Sequence, residues 1–273
     1  MKYETLGDRM KGAYENRYRI YFPERTPVIV RLDGRAFHTF CRGLKKPFDS
    51  LFISVMQDTM LKLCENISGC KFGYVQSDEI SLLLMQTRNE SQPWFDNNLQ
   101  KIVSVSASMA TLYFNKIWEE RCLEFLDKAF SENWTSEDEK YIETLNNKCN
   151  TATFDSRAFI LPEEEVCNYY IWRQQDATRN SILSLAQSLY SQKEMQGIKC
   201  DKLQDKMFTE KDVNWNDLTI VEKRGTCVIP KMVEVNGVMR NKMVIDTEIP
   251  IFTQDRNYID NIVYGVKRAE YVC

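Results

Sequence analysis

KFGYVQSDEISLLLM, residues 71–85, holds two short apolar runs, 71–76 and 80–85, split by Ser77, Asp78 and Glu79. Strand-length runs around a hairpin-length polar break predict an antiparallel pair. Upstream, VIVRLD at 28–33 is opened by Pro27 and closed by Gly34, and reads as a buried strand. Between that strand and the hairpin, Phe52, Val55, Met56, Thr59, Met60 and Leu63 recur at helical spacing over 49–65, with Asp49 as N-cap. Downstream, Ile102, Val105, Met109, Leu112 and Tyr113 mark a helix over 98–118, and TATFDSRAFIL at 151–161 reads as a fourth strand. Strand, helix, strand, strand, helix, strand is the ferredoxin-like order, so the expected class is α+β. The polar, acidic stretch 131–150 is the best candidate for a loop, with a helix over part of it left open. A long helix is expected from Pro162 to residue 192, then short helices and a hairpin at Asn236-Gly237. This divides the chain into a core at 1–161 and a helical and hairpin extension packed on it at 162–273.

Hydrophobic residues make up 43% of the 273 and charged residues 27%, which supports a sizeable core and not general disorder. Thirty-six Lys+Arg against 39 Asp+Glu give a net charge of −3. That excludes a globally basic nucleic-acid coat and leaves room for a local basic patch. No stretch approaches the roughly 20 apolar residues of a bilayer span. The opening MKYETLGDRM lacks the apolar centre of a signal peptide. No membrane partner is expected, and a cytoplasmic location is. Nine cysteines without a C-x-x-C pair read as reduced thiols. A single histidine, His38, argues against a Cys/His zinc site and against a Ser-His-Asp triad.

In this topology the first strand lies beside the third, antiparallel to it. Asp33, at the end of the first strand, therefore neighbours Asp78 in the hairpin, one strand spacing of about 4.8 Å away. Two such carboxylates can share a pair of divalent cations, and hard oxygen ligands suit Mg²⁺ with substrate phosphates completing the shell. Gly34 lets backbone approach a phosphate or metal closely, and the amides of Arg35, Ala36, Phe37 and His38 form a candidate donor nest for a triphosphate. Arg42, Lys45 and Lys46 follow directly. The same residues also suit plain turns, since Asp and Gly favour them, and this spacing leaves both readings open. On the long helix, Arg173, Asp176, Asn180 and Ser184 share a face, which is either solvated or turned to RNA. Trp172 is expected in the core, ahead of the alternative of a base-stacking platform.

VRLDGRAFHTF at 30–40, KPFD at 46–49, GYVQSDEISL at 73–82, FDSRAF at 154–159, YIWRQQDATRNSI at 170–182 and KRGTCVI at 223–229 occur in this order. Together they resemble the tRNA(His) guanylyltransferase superfamily of 3′–5′ RNA polymerases. The resemblance implies a polymerase-palm core and addition of nucleotides to the 5′ end of tRNA. The 5′-monophosphate would first be activated with a nucleoside triphosphate, ATP or GTP. The 3′-hydroxyl of an incoming nucleotide would then attack the activated phosphate. By motif match, Asp33, the Gly34 carbonyl and Asp78 hold two Mg²⁺, with Glu79 at the catalytic centre as a ligand or a support. Ser77, Lys46, Asp49, His38 and Lys101 match nucleotide contacts, although an ideal ferredoxin-like path starts the helix of Lys101 at the far end of the sheet. Arg157, Arg173, Arg179, Asn180, Lys223 and Arg224 are the candidates for RNA contact. The resemblance also implies a homotetramer. Guanylyltransferases proper carry His-Ile-Asn-Asn where this chain has Thr178-Arg179-Asn180-Ser181. That departure resembles the guanylyltransferase-like branch, which implies template-dependent repair of truncated tRNA 5′ ends. Addition of a single G to tRNA(His) and a silent RNA-binding palm are the alternatives.

Overall fold

A computed structural model describes residues 3–86, 92–131 and 135–265. The elements in chain order are α1 (Leu6–Ala13), β1 (Val28–Gly34), α2 (Phe37–Phe40), α3 (Ser50–Asn66), β2 (Cys70–Gln76), β3 (Glu79–Leu84), α4 (Leu99–Ser131), α5 (Ser136–Asn146), β4 (Phe154–Ile160), α6 (Glu163–Leu189), α7 (Gln192–Met195), α8 (Cys200–Lys211), α9 (Ile220–Arg224), β5 (Thr226–Val235), β6 (Val238–Asp246) and α10 (Asn257–Tyr264). The sheet runs β4-β1-β3-β2-β5-β6, with every described pair antiparallel. Its first four strands are the ferredoxin-like order expected from the sequence.

Side-chain alternation along β1 divides the core. Val28, Val30 and Leu32 pack with Met60, Phe52 and Phe114 from α3 and α4. Ile29 points the other way, into a cluster with Leu83, Tyr170 and Phe252. Arg31 and Asp33 share the face of Ile29, the face that α6 crosses. Every residue of β3 is buried, which is why its sequence is a continuous apolar run broken only by Ser81 and not a clean alternation. Ser81 is satisfied by the Tyr169 hydroxyl, 2.8 Å away.

Two expectations change. The stretch 131–150 holds α5, started by a capping box between Thr135 and Asp138 and anchored by buried Tyr141, Ile142 and Leu145. Helix α4 continues to Ser131, and β4 begins at Phe154, so 151–153 precede it. The hairpin at Asn236-Gly237 exists and joins the same sheet, with β5 paired to β2. Among the described residues, eight cysteines are free thiols, and Cys273 lies outside them. No described helix is long and apolar enough to cross a membrane.

Candidate active site

Gln76 pairs with Glu79, so the β2–β3 turn is two residues, Ser77-Asp78, one shorter than expected. Ser77 adopts φ 53°, a left-handed conformation uncommon for serine. The Gly34 N–H donates to the Asp78 carbonyl at 3.1 Å and fastens the end of β1 to this turn. The reciprocal bond, from the Asp78 N–H to the Gly34 carbonyl, is not made. Burial pushes the Asp78 carboxyl above the usual carboxylate range, and the nearby Asp33 charge pushes the same way. Hydrogen bonds from its own amide and from Ser77 oppose this in part. Among the described residues no three Asp, Glu, His or Cys side chains converge on one point. The donor set is thus two crowded carboxylates beside a carbonyl, which suits a hard divalent cation that keeps water or phosphate as its other ligands.

The glycine at 34 has a packing reason. A Cβ there would meet the Phe37 ring at 2.4 Å. That ring is locked in the core against Phe40, Phe154 and Phe114, at centroid distances of 4.9, 5.1 and 5.4 Å, so Phe37 has only its amide to offer a ligand. Ala36 is left-handed (φ 57°, ψ 32°) and opens α2. The amides of Ala36, Phe37 and His38 have no acceptor among the described residues. Arg35 leaves the expected nest, because its N–H donates to the Thr153 carbonyl at 2.9 Å.

A cavity of about 480 Å³ opens at this end of the sheet. His38, Lys46, Ser77 and Asp78 line one side, and Asn180 and Ser184 of α6 line another. Lys46 and His38 are exposed, with no ion pair among the described residues. Asp49 also borders the cavity, but its oxygens are taken: one caps Phe52 N–H, and the other accepts from Lys45 N–H and the Tyr141 hydroxyl. It is an anchor for the 37–49 loop and not a nucleotide ligand. Lys45 turns its ammonium over the Tyr141 ring, 4.6 Å from the centroid. Lys101 lies at the opposite end of the sheet. Its helix starts beside Asn97 and Asn98, which are tied to Phe22, Pro23 and Tyr21 ahead of β1. Its ammonium sits over Phe95 and is not brought to the cavity.

Glu79 and Arg173 also change role. The Glu79 carboxylate is buried and receives two bonds from Arg173, at 2.7 and 2.9 Å, as well as an ion pair from Arg31. Both its oxygens are engaged by guanidinium, the arrangement of a carboxylate that supports the site. Arg173, 4% exposed, also bonds Asp176 at 3.0 Å, so it cannot meet RNA. Trp172, expected in the core, is 52% exposed, with the Arg173 guanidinium 4.4 Å from its ring centroid. Arg157 and Arg179 are exposed and, among the described residues, ion-paired with Asp155 and Asp176. Lys223 is engaged by the Asn216 carbonyl at 2.6 Å. Arg224 is half-buried, its carbonyl accepting from Tyr74. Sequence reasoning missed Arg31 and the polar cavity wall of Gln57, Gln76 and Thr226. Across the cavity from it, Ser181, Ser184 and Ser188 recur at helical spacing on α6, a faint signal of a polar lining.

A paired-carboxylate turn on a ferredoxin-like sheet, opening into a nucleotide-sized cavity, matches a known protein family. The family model described as Thg1, tRNAHis guanylyltransferase, matches residues 7–162. The chain belongs to the tRNAHis guanylyltransferase family. It is a nucleotidyltransferase by family and fold. A bacterial Thg1-like protein solved in complex with ATP is 44% identical, with a TM-score of 0.79, covering 96% of this chain and 100% of its own. A second such structure, in complex with GTP, is 43% identical with a TM-score of 0.75, covering 95% and 99%. The probable tRNA(His) guanylyltransferase of Dictyostelium discoideum is 26% identical over 220 residues, 76% of each chain. The tRNA(His) guanylyltransferase of Saccharomyces cerevisiae, at 18% identity and a TM-score of 0.61, covering 89% of this chain and 98% of its own, shares the fold.

Proposed function

We propose that this protein adds nucleotides in the 3′–5′ direction to the 5′ end of tRNA, choosing each by pairing with the opposing acceptor strand. The observation that carries the reading is Asp78, crowded by the Asp33 charge, in the wall of a cavity that Lys46, His38 and Ser77 also line. The ATP and GTP complexes of its bacterial relatives support a nucleoside triphosphate there. Lys46 and the Ala36–His38 amides would receive phosphate oxygens, and Asn180 and Ser184 would face the nucleoside. Asp33, Asp78 and the Gly34 carbonyl would hold Mg²⁺, two ions on the two-metal reading, which supplies charge neutralisation for a triphosphate. Template dependence is supported by Thr178-Arg179-Asn180-Ser181, which lacks the histidine of guanylyltransferases proper. A homotetramer is supported by α1, which buries none of its own residues and leaves Leu6 and Met10 exposed.

The test is a tRNA lacking its 5′ nucleotide and bearing a 5′-monophosphate, incubated with the protein, Mg²⁺ and four nucleoside triphosphates. The opposing base is varied and the 5′ end sequenced. Addition that follows the pairing partner supports repair. Addition of G whatever lies opposite would instead identify a guanylyltransferase, and binding without addition an RNA-binding palm.

A further inference from the structure

Trp172 is exposed yet rigidly set. Its indole has Arg173 at 4.4 Å and Arg31 at 5.9 Å from the ring centroid, and Tyr169 meets it edge-on at 5.9 Å. Both guanidiniums are fixed by the buried Glu79. Contact with Arg31 of β1, and through Tyr169 with Phe159 of β4, sets the indole over the β1–β4 half of the sheet. In that half, Arg31 is paired in register with Arg157, and Asp33 with Asp155. Along α6, Trp172, Asp176 and Arg179 follow at i, i+4 and i+7 and share one face.

We propose that Trp172 is a stacking platform for the 5′-terminal nucleobase of the RNA substrate, with Arg157 and Arg179 receiving the adjoining phosphates; this rests on the nucleotide-addition reading above. Charge leaves a positive balance for RNA: four arginines, Arg31, Arg157, Arg173 and Arg179, meet three carboxylates, Glu79, Asp155 and Asp176, and Arg157 and Arg179 are 55% and 61% exposed. Spacing favours the terminal base. Arg31 and Asp33 lie two residues apart on one face of β1, about 7 Å along the strand, so the ring beside Arg31 stands over the strand that carries the Asp33 carboxylate. Neither Trp172, Arg31 nor Arg157 lines the cavity. The RNA end and the triphosphate therefore reach Asp33 and Asp78 from different sides. Stacking is also sequence-tolerant, because every base has a π face, and an enzyme extending any 5′ end needs that tolerance.

The experiment measures equilibrium binding by the full-length protein, without nucleoside triphosphates. It uses the truncated 5′-monophosphate tRNA and the same RNA with an abasic 5′-terminal nucleotide. Trp172→Ala is expected to weaken binding of the first by about 5- to 150-fold, the range of a lost base–aromatic stack. The same substitution should change binding of the abasic RNA less than twofold, Trp172→Phe should restore most of the affinity, and ATP binding should be unchanged. If the alanine variant melts early, Trp172→Leu keeps apolar bulk over Arg173 without a π face and carries the same comparison. Equal losses on both RNAs, or none on either, overturn the platform. A changed mass in light scattering with RNA affinity intact also overturns it, and assigns the ring to contact between copies of the chain. Wild-type addition is followed in parallel. Tight binding without addition removes the repair reading and leaves the platform standing, whereas no binding to either RNA overturns the platform.

Discussion

Replacing Glu79 by Gln separates a structural carboxylate from a metal ligand. In the native protein Glu79 accepts two charge-assisted bonds from Arg173 and pairs with Arg31, with side chains 10%, 5% and 20% exposed for Glu79, Arg173 and Arg31. Glutamine keeps the shape and removes the charge. Two guanidiniums then stay in a largely dry site, and Asp176, 23% exposed, becomes the nearest described anion for Arg173. Removing one partner of a buried pair costs about 3–5 kcal/mol, because the remaining charge is left uncompensated. At about 2–4 °C per kcal/mol for a chain slightly smaller than this one, the thermal midpoint should fall by about 6–20 °C. Melting curves followed by circular dichroism read this directly. Mg²⁺-dependent ATP binding, measured well below the variant's midpoint, should survive. An unchanged midpoint together with lost Mg²⁺-dependent binding would refute the argument and return Glu79 to the metal.

Two further predictions concern the turn. Burial and Asp33 hold the Asp78 carboxyl above the ordinary range, so the folded protein binds this proton more tightly than the unfolded chain and is less stable for it at neutral pH. Without Mg²⁺, Asp78→Asn should stabilise the fold at pH 7.5, because it removes a buried charge and its repulsion from Asp33. The gain should shrink as pH falls through the raised pKa, and nucleotide transfer should be lost; melts across pH check the first, and a lower midpoint at pH 7.5 would contradict it. Gly34→Ala places a methyl 2.4 Å from the Phe37 ring and should cost about 1–3 kcal/mol by overpacking. Displacing that ring moves the Ala36–His38 amides, so KM for ATP should rise as well, which steady-state kinetics would show.

The strand order was legible because alternation, helical periodicity and turn residues are local properties. VIVRLD, the helix of Phe52 to Leu63 and the hairpin around Ser77-Asp78 each declare themselves within a few residues. Topology alone then makes Asp33 and Asp78 neighbours, so the centre of the site could be placed before any coordinates. The capping box at Thr135 was equally local, and its helix was hidden by the acidic composition around it.

Tertiary structure decided which polar side chains remain available to a ligand. Asp49, Glu79 and Arg173 have the residue types of a nucleotide site, yet each is consumed by a partner that sequence spacing does not reveal. Tyr141 lies 92 residues from Asp49, and Arg173 lies 94 from Glu79. Helical periodicity places Arg173 and Asn180 on one polar face but does not fix how that face is turned. The crossing of α6 over β3 buries Arg173 against a counter-charge, leaves Asn180 at the cavity and exposes Trp172. A sequence determines its periodic faces through local geometry, whereas the partner of a buried charge is set by packing between elements distant in the chain.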